Sequence, residues 1–123
     1  MGKKGFRELL VWQRAKDLAV KIYLLSQSGA LGKDFELIRQ LRKSSVSIAS
    51  NVAEGDERET DKEAVRFFYI AKGSLAELRT QIQIGYEAGH LQQAVYEDIE
   101  PDCDTLGKML GGLIRTRSRF RRP

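Results

Sequence analysis

The chain has 123 residues, of which 31% are charged and 41% are hydrophobic. This length predicts one domain with a single core, and the apolar runs are too short to span a membrane. We expect no signal peptide, a cytoplasmic location and, with Cys103 as the single cysteine, no intramolecular disulfide.

The net charge of +4 comes from the C-terminal end of the chain. Without the arginines there, 16 basic residues stand against 17 acidic ones. A basic tail on a near-neutral body suggests a polyanionic partner, because clustered cations release counterions from phosphate chains. A disordered, solubilising tail is an equally good interpretation. The arginines concerned are Arg115, Arg117, Arg119, Arg121 and Arg122.

Apolar residues at helical spacing predict a first helix from about Phe6 to Ser26, after a frayed segment at residues 1–5. Some apolar residues fall outside its main stripe, so we expect a second contact face, with another subunit as the candidate partner. These residues are Val11, Val20, Tyr23 and Leu24. A glycine-containing loop then leads to a second helix from about Phe35, for which Gly55 is the expected left-handed C-terminal cap.

A capping box at Thr60 and Glu63 predicts the start of a third helix, because each side chain can satisfy a free backbone N–H there. Pro101 should either kink the fourth helix or mark its start, because its ring removes an N–H and clashes with the preceding turn. We expect one kinked helix from about Gln92 to Ile114, since the apolar stripe stays in register through Pro101. Short loops between four helices predict an all-α, antiparallel up-down-up-down four-helix bundle. The bundle domain should cover residues 6–114, and residues 115–123 should form a flexible basic tail.

Catalytic chemistry has little support in this composition. Glu87 and His90 have the spacing of a di-iron ligand pair, but that site needs a second pair, so a solvated histidine is the better interpretation. Cys103 falls on the apolar seam of the fourth helix, which predicts a buried, unreactive thiol. We therefore expect no catalytic residue, no metal site and no cofactor, and the protein should not be an enzyme.

The second helix carries an unusual number of polar residues opposite its apolar stripe. They could form a binding surface or specific polar contacts, and an ordinary solvated helix face is the alternative. The residues are Arg39, Arg42, Lys43, Ser47, Asn51 and Glu54.

Several short motifs in a fixed order carry a family resemblance. They include Gln40-Leu41-Arg42, Asn51-Val52-Ala53-Glu54-Gly55 and Gly73-Ser74-Leu75-Ala76-Glu77-Leu78. From about Phe6 to Ile114, the sequence resembles the bacterial four-helix bundle proteins of the 23S rRNA-intervening-sequence family. The resemblance implies an antiparallel bundle that assembles as a ring-shaped homopentamer, with no established catalytic residues. It also implies kinship with the nucleic-acid-binding accessory protein of diversity-generating retroelements.

Two functions remain open at this point. The first is an oligomeric, non-enzymatic bundle that binds RNA or DNA through the five C-terminal arginines together with Arg39 and Lys43. The second is a structural or protein-interaction scaffold without nucleic-acid binding. In the scaffold, polar contacts within or between subunits would involve Arg42, Asn51, Glu54, Ser74 and Glu77, with Arg42 or backbone groups satisfying the carboxylates.

Overall fold

Four helices make up the computed structural model, which describes residues 5–27 and 29–119. Short 3-10 turns at Phe6–Glu8 and Leu31–Lys33 precede the first two helices, and the described ranges contain no β-strand. The predicted all-α class is therefore confirmed. The helices are α1 (Leu10–Leu25), α2 (Phe35–Asp56), α3 (Asp61–Glu87) and α4 (Gln93–Arg119).

Each helix packs against the next helix in the sequence, and α1 also packs against α4. The α2–α3 pairing is antiparallel, because Ser44 of α2 bonds Gln81 while Ser47, later in α2, bonds Ser74, earlier in α3. Lys21 connects the first helix to the last, because it forms ion pairs with Asp98 and Asp102 of α4 at 2.6 and 2.8 Å. This arrangement confirms the four-helix bundle.

The core is formed by the apolar stripes of the four helices, which meet along the bundle axis. Fully burying one such side chain contributes about 1.5–3 kcal/mol, so the stripes provide most of the driving force for folding. On the four helices, the largest fully buried side chains are Ile22, Leu41, Ile48, Phe68, Leu78, Ile82, Ile99, Leu106 and Leu110.

Side-chain caps fix the starts of α2 and α3. The Thr60 hydroxyl accepts a hydrogen bond from the Glu63 N–H at 3.2 Å, which confirms the predicted start of α3. Asp34 acts in the same way for α2, since its Oδ1 accepts from the Leu37 N–H at 3.1 Å. An N-cap of this kind contributes about 1 kcal/mol to stability.

The end of α2 differs from the sequence-based prediction. Gly55 is not a left-handed cap, because α2 continues to Asp56 and the backbone φ of Gly55 is not positive. A Cβ at Gly55 would lie only 2.7 Å from the Phe68 ring. Glycine is needed here because α2 and the Phe68 side chain of α3 approach too closely for any side chain.

The end of α4 also differs from the prediction. The helix continues to Arg119, five residues past the expected boundary at Ile114, and the glycines at 111 and 112 do not interrupt it. Residues 115–119 are therefore helical, which corrects the predicted start of a flexible tail. Residues 1–4 and 120–123, which the sequence assigns to the frayed N-terminus and the tail, lie outside the described residues.

Candidate functional site

A polar seam joins α2 to α3 near the middle of the bundle. Asn51 Nδ2 donates to the Ser47 carbonyl at 2.9 Å and to the Ser47 hydroxyl at 3.1 Å. The Ser47 hydroxyl lies 2.9 Å from the hydroxyl of Ser74, which is buried on α3. Ser47 thus links Asn51 to Ser74. The sequence predicted that Ser47 and Asn51 share a helix face, but it did not predict the contact between Ser47 and Ser74.

The carboxylates of the polar motif do not use Arg42 as their partner. Glu54 pairs with Arg58, one turn later in the chain, at 2.5 Å, and the Arg58 guanidinium lies 4.5 Å from the centre of the Phe67 ring. Glu77 is exposed and has no side-chain hydrogen bond or ion pair within residues 5–27 and 29–119. Within this chain neither carboxylate is buried or paired with Arg42, because both side chains lie on the outer surface. Their predicted contacts between subunits stay a prediction.

Arg42 instead connects α2 to α1. Its Nε donates to the Ser26 hydroxyl at 3.0 Å, and its guanidinium lies 4.5 Å from the centre of the Tyr23 ring. The cation–π contact and the hydrogen bond hold the side chain against α1. Arg42 is consequently separate from the Asn51 and Ser74 seam, so the five predicted motif residues do not form one site.

The other basic residues of α2 lie on an exposed groove between α1 and α2. The groove has a volume of about 670 Å³, and its walls include Arg39, Lys43 and the aromatic rings of Tyr23 and Phe35. Phe35 is 79% exposed. Lys43 has no ion pair within the part of the chain that the structure describes, so its charge faces solvent.

Arg39 is exposed but has an acidic neighbour on the same helix. Its Nη2 donates to both carboxylate oxygens of Glu36 at 2.8 Å, and these hydrogen bonds lower the pKa of Glu36 and raise that of Arg39. Because both side chains are solvated, the pair is screened and can open for another anion.

The C-terminal arginines have different environments. Arg117 pairs with Asp56 at 2.7 Å, whereas Arg115 is exposed and has no ion pair among the described residues. Arg119 is the last residue of α4. Arg121 and Arg122 lie outside the described residues, so their predicted role stays a prediction.

An apolar groove of about 480 Å³ continues from the basic one along α1 and α2. Val20, Tyr23 and Leu24 of α1 are 49%, 40% and 62% exposed, as expected for residues outside the main stripe, whereas Val11 belongs to the core. The contribution of α2 to this groove was not predicted from the sequence, although Val46 of α2 lines the groove and is 40% exposed. The signal was present, because Val46 falls between the core positions of α2.

His90 and Cys103 are two of the residues that the sequence analysis considered for catalysis. His90 Nδ1 lies 2.9 Å from Asp34 Oδ2, so the histidine joins two loops and is not simply solvated. Cys103 is buried as predicted, and burial raises the pKa of its thiol to about 12. Across residues 5–27 and 29–119, no group of side chains has the composition and spacing of a metal site. Within these ranges no helix combines the length and hydrophobicity needed to cross a bilayer.

Comparisons with known proteins agree with the bundle architecture. A family model described as 23S rRNA-intervening sequence protein matches residues 7–112. A solved structure of a protein of unknown function, from the S23 ribosomal protein family of Bacteroides thetaiotaomicron, is similar with a TM-score of 0.76. The two chains are 20% identical, and the match covers 85% of this chain and 98% of the other, so it shows a shared fold alone. No curated protein matches the chain significantly.

Proposed function

The chain belongs to the 23S rRNA-intervening sequence protein family, and from that premise we propose that it is a self-associating, non-catalytic bundle that binds nucleic acid. The family description names a ribosomal RNA sequence and no reaction. The observation that carries self-association is the exposed apolar groove between α1 and α2. The exposed cations of α2 and α4 support the second part of the proposal.

The groove is a poor surface for an isolated subunit. Val20, Leu24 and Val46 leave large apolar areas in water, and contiguous apolar surface of this kind marks protein interfaces. A second exposed apolar set, Tyr69 and Ile70, lies on α3 and lines neither groove. Contacts between two different surfaces of identical subunits form a ring when the rotation between neighbours closes, and five is the subunit number that the family resemblance implies.

Charge in the groove tests self-association. We expect the double variant Val20→Lys, Leu24→Lys to sediment as a monomer, because two ammonium groups would have to be desolvated in the interface. Thr105→Lys is the matched control, since Thr105 is exposed on α4 and lines neither groove. Sedimentation velocity reports the subunit number of each protein. A wild-type monomer, or an unchanged oligomer in the groove variant, contradicts the proposal.

Nucleic-acid binding would use exposed cations that repeat in the assembly. Arg39, Lys43 and Arg115 are exposed, and each alone would make a weak phosphate contact. Repetition around an oligomer raises the effective concentration of these contacts, so modest sites act together. The exposed Phe35 ring lies beside Arg39 and Lys43, where it could stack on an unpaired base.

Salt dependence tests this second part. For single strands, the log of the association constant falls with log salt with a slope of about −0.7 for each phosphate that the protein neutralises. We expect Arg39→Gln, Lys43→Gln to flatten the slope measured with labelled single-stranded RNA and DNA of mixed sequence. Lys108→Gln is the control, because Lys108 is exposed on α4 and does not line the groove that holds Arg39 and Lys43. Absence of wild-type binding contradicts nucleic-acid recognition and leaves self-association standing.

A further inference from the structure

Arg117 lies in a cluster that joins three helices at one end of the bundle. Its Nη2 is 2.7 Å from Asp56 Oδ1 at the end of α2, and its Nη1 is 3.7 Å from Asp61 Oδ1 at the start of α3. The guanidinium also lies 5.4 Å from the centre of the Phe68 ring. Only 17% of the Arg117 side chain is exposed, and only 3% of the Asp56 side chain.

The position of Asp56 explains why a nearby cation is favourable there. Asp56 is the last residue of α2, where the negative end of the helix dipole disfavours a carboxylate. Its burial adds a desolvation cost that a nearby opposite charge offsets. Asp61 is in the first turn of α3, where the dipole favours it. Arg117 therefore offsets a charge at Asp56 that both the helix end and the burial disfavour.

Packing around Phe68 holds the cluster together. The Phe68 ring occupies the space that a Cβ on Gly55 would fill, so the end of α2 lies directly against it. The Arg117 guanidinium contacts the same ring, and the stem of such a side chain covers apolar surface while its charge is paired. Moving Arg117 outward would expose this ring and leave Asp56 without its Arg117 ion pair.

Arg115 provides the contrast. It is exposed two residues earlier, and its guanidinium lies 3.4 Å from where a Cβ on Gly111 would be, alongside its own helix. We propose that Arg117 is a positioning residue, which anchors the last turns of α4 on the α2–α3 turn and makes no phosphate contact, while Arg115 stays available. The second half of this proposal rests on the proposed nucleic-acid binding.

Hydrogen exchange and salt dependence test the two halves separately. We expect Arg117→Gln and Asp56→Asn each to speed amide exchange of residues 113–119 by about tenfold or more, because the anchoring ion pair is removed. The double variant should exchange no faster than Arg117→Gln. Arg115→Gln, the matched control, should exchange like the wild type. Asp56→Asn keeps the shape of the buried side chain, so it provides the test if Arg117→Gln does not fold.

In the RNA titration, Arg115→Gln should flatten the salt slope by about 0.7 for each phosphate that the variant no longer neutralises, and Arg117→Gln should leave the slope unchanged. Wild-type exchange rates in both Arg117→Gln and Asp56→Asn would overturn the anchoring role. A flatter slope in Arg117→Gln would overturn its exclusion from binding. If the wild type binds no RNA or DNA, the proposed function fails at that point, and the exchange rates still decide whether Arg117 is the anchor.

Discussion

Asp56 and Arg117 are 61 residues apart in the sequence, and their side chains meet at 2.7 Å across the end of the bundle. The contact joins the end of α2 to the last turns of α4, and most other ion pairs of the described chain are more exposed. Since salt screens buried charges weakly, this pair should remain formed at ionic strengths that weaken surface pairs.

Removing one partner of this pair should cost much more stability than removing a surface charge. We expect Arg117→Gln to lower the free energy of unfolding by about 3–5 kcal/mol, because it removes the ion pair that Arg117 makes with a buried carboxylate. Lys108→Gln breaks the exposed pair with Asp104 and should cost about 1 kcal/mol or less. Urea unfolding measures both values, and equal losses in the two variants would contradict this account.

The helices and their core stripes were predictable because they depend on local periodicity. The Cys103 seam and the Thr60 cap are examples, since each is encoded within a few neighbouring residues. The roles of Gly55 and Arg117 were not predictable in this way. A glycine near a helix end usually marks a cap, and an arginine-rich end usually marks a tail. Here contacts with Phe68 and Asp56, from other helices, decide both conformations.

The candidate site was predictable only in part for the same reason. The motif spacing put Asn51 and Glu54 on one helix, but helical spacing does not say which partner an adjacent helix brings. Ser74 meets the motif through Ser47, whereas Arg42 turns toward Tyr23 on α1. The apolar groove could not be predicted from either helix alone, because α1 and α2 each supply one of its walls.

Two glycines on neighbouring helices should respond to alanine in opposite directions. Gly73 is in the interior of α3 with open space around it, so Gly73→Ala should stabilise the subunit by about 0.5–1 kcal/mol. Gly55→Ala should destabilise by about 1–3 kcal/mol, since the new Cβ would meet the Phe68 ring at 2.7 Å. Thermal unfolding of the two variants provides the comparison. A stabilising Gly55→Ala would show that the ring moves freely.

Burial of Cys103 predicts a loss of stability at alkaline pH. The pKa of the folded thiol is raised to about 12 from its ordinary value of 9.0, chiefly because burial disfavours the thiolate. Between these values the unfolded chain releases a proton that the folded chain retains, so the free energy of unfolding falls as pH rises. Cys103→Ala should remove this component. Urea unfolding at a series of pH values above 9 measures it as the difference in slope between the two proteins.

A second consequence of this burial concerns thiol chemistry. An aromatic disulfide reagent should react with native Cys103 much more slowly than with the unfolded chain, because both access and thiolate formation are suppressed. The reaction rate should follow the opening of the bundle and rise with urea. Rapid labelling of the native protein at neutral pH would contradict the buried position.

Asp34 should contribute more to stability than an ordinary N-cap, because its two carboxylate oxygens have different partners. Oδ1 accepts from the Leu37 N–H at the start of α2, and Oδ2 lies 2.9 Å from His90 Nδ1 in the α3–α4 loop. Thr60→Ala, which removes a cap alone, should cost about 1 kcal/mol. Asp34→Ala should exceed this cost by about the destabilisation measured for His90→Ala, since that variant breaks only the link between the loops. Urea unfolding at one pH measures all three variants. The contrary result would be a destabilising His90→Ala together with an Asp34→Ala that costs no more than Thr60→Ala. The Asp34–His90 contact would then not be what links the two loops.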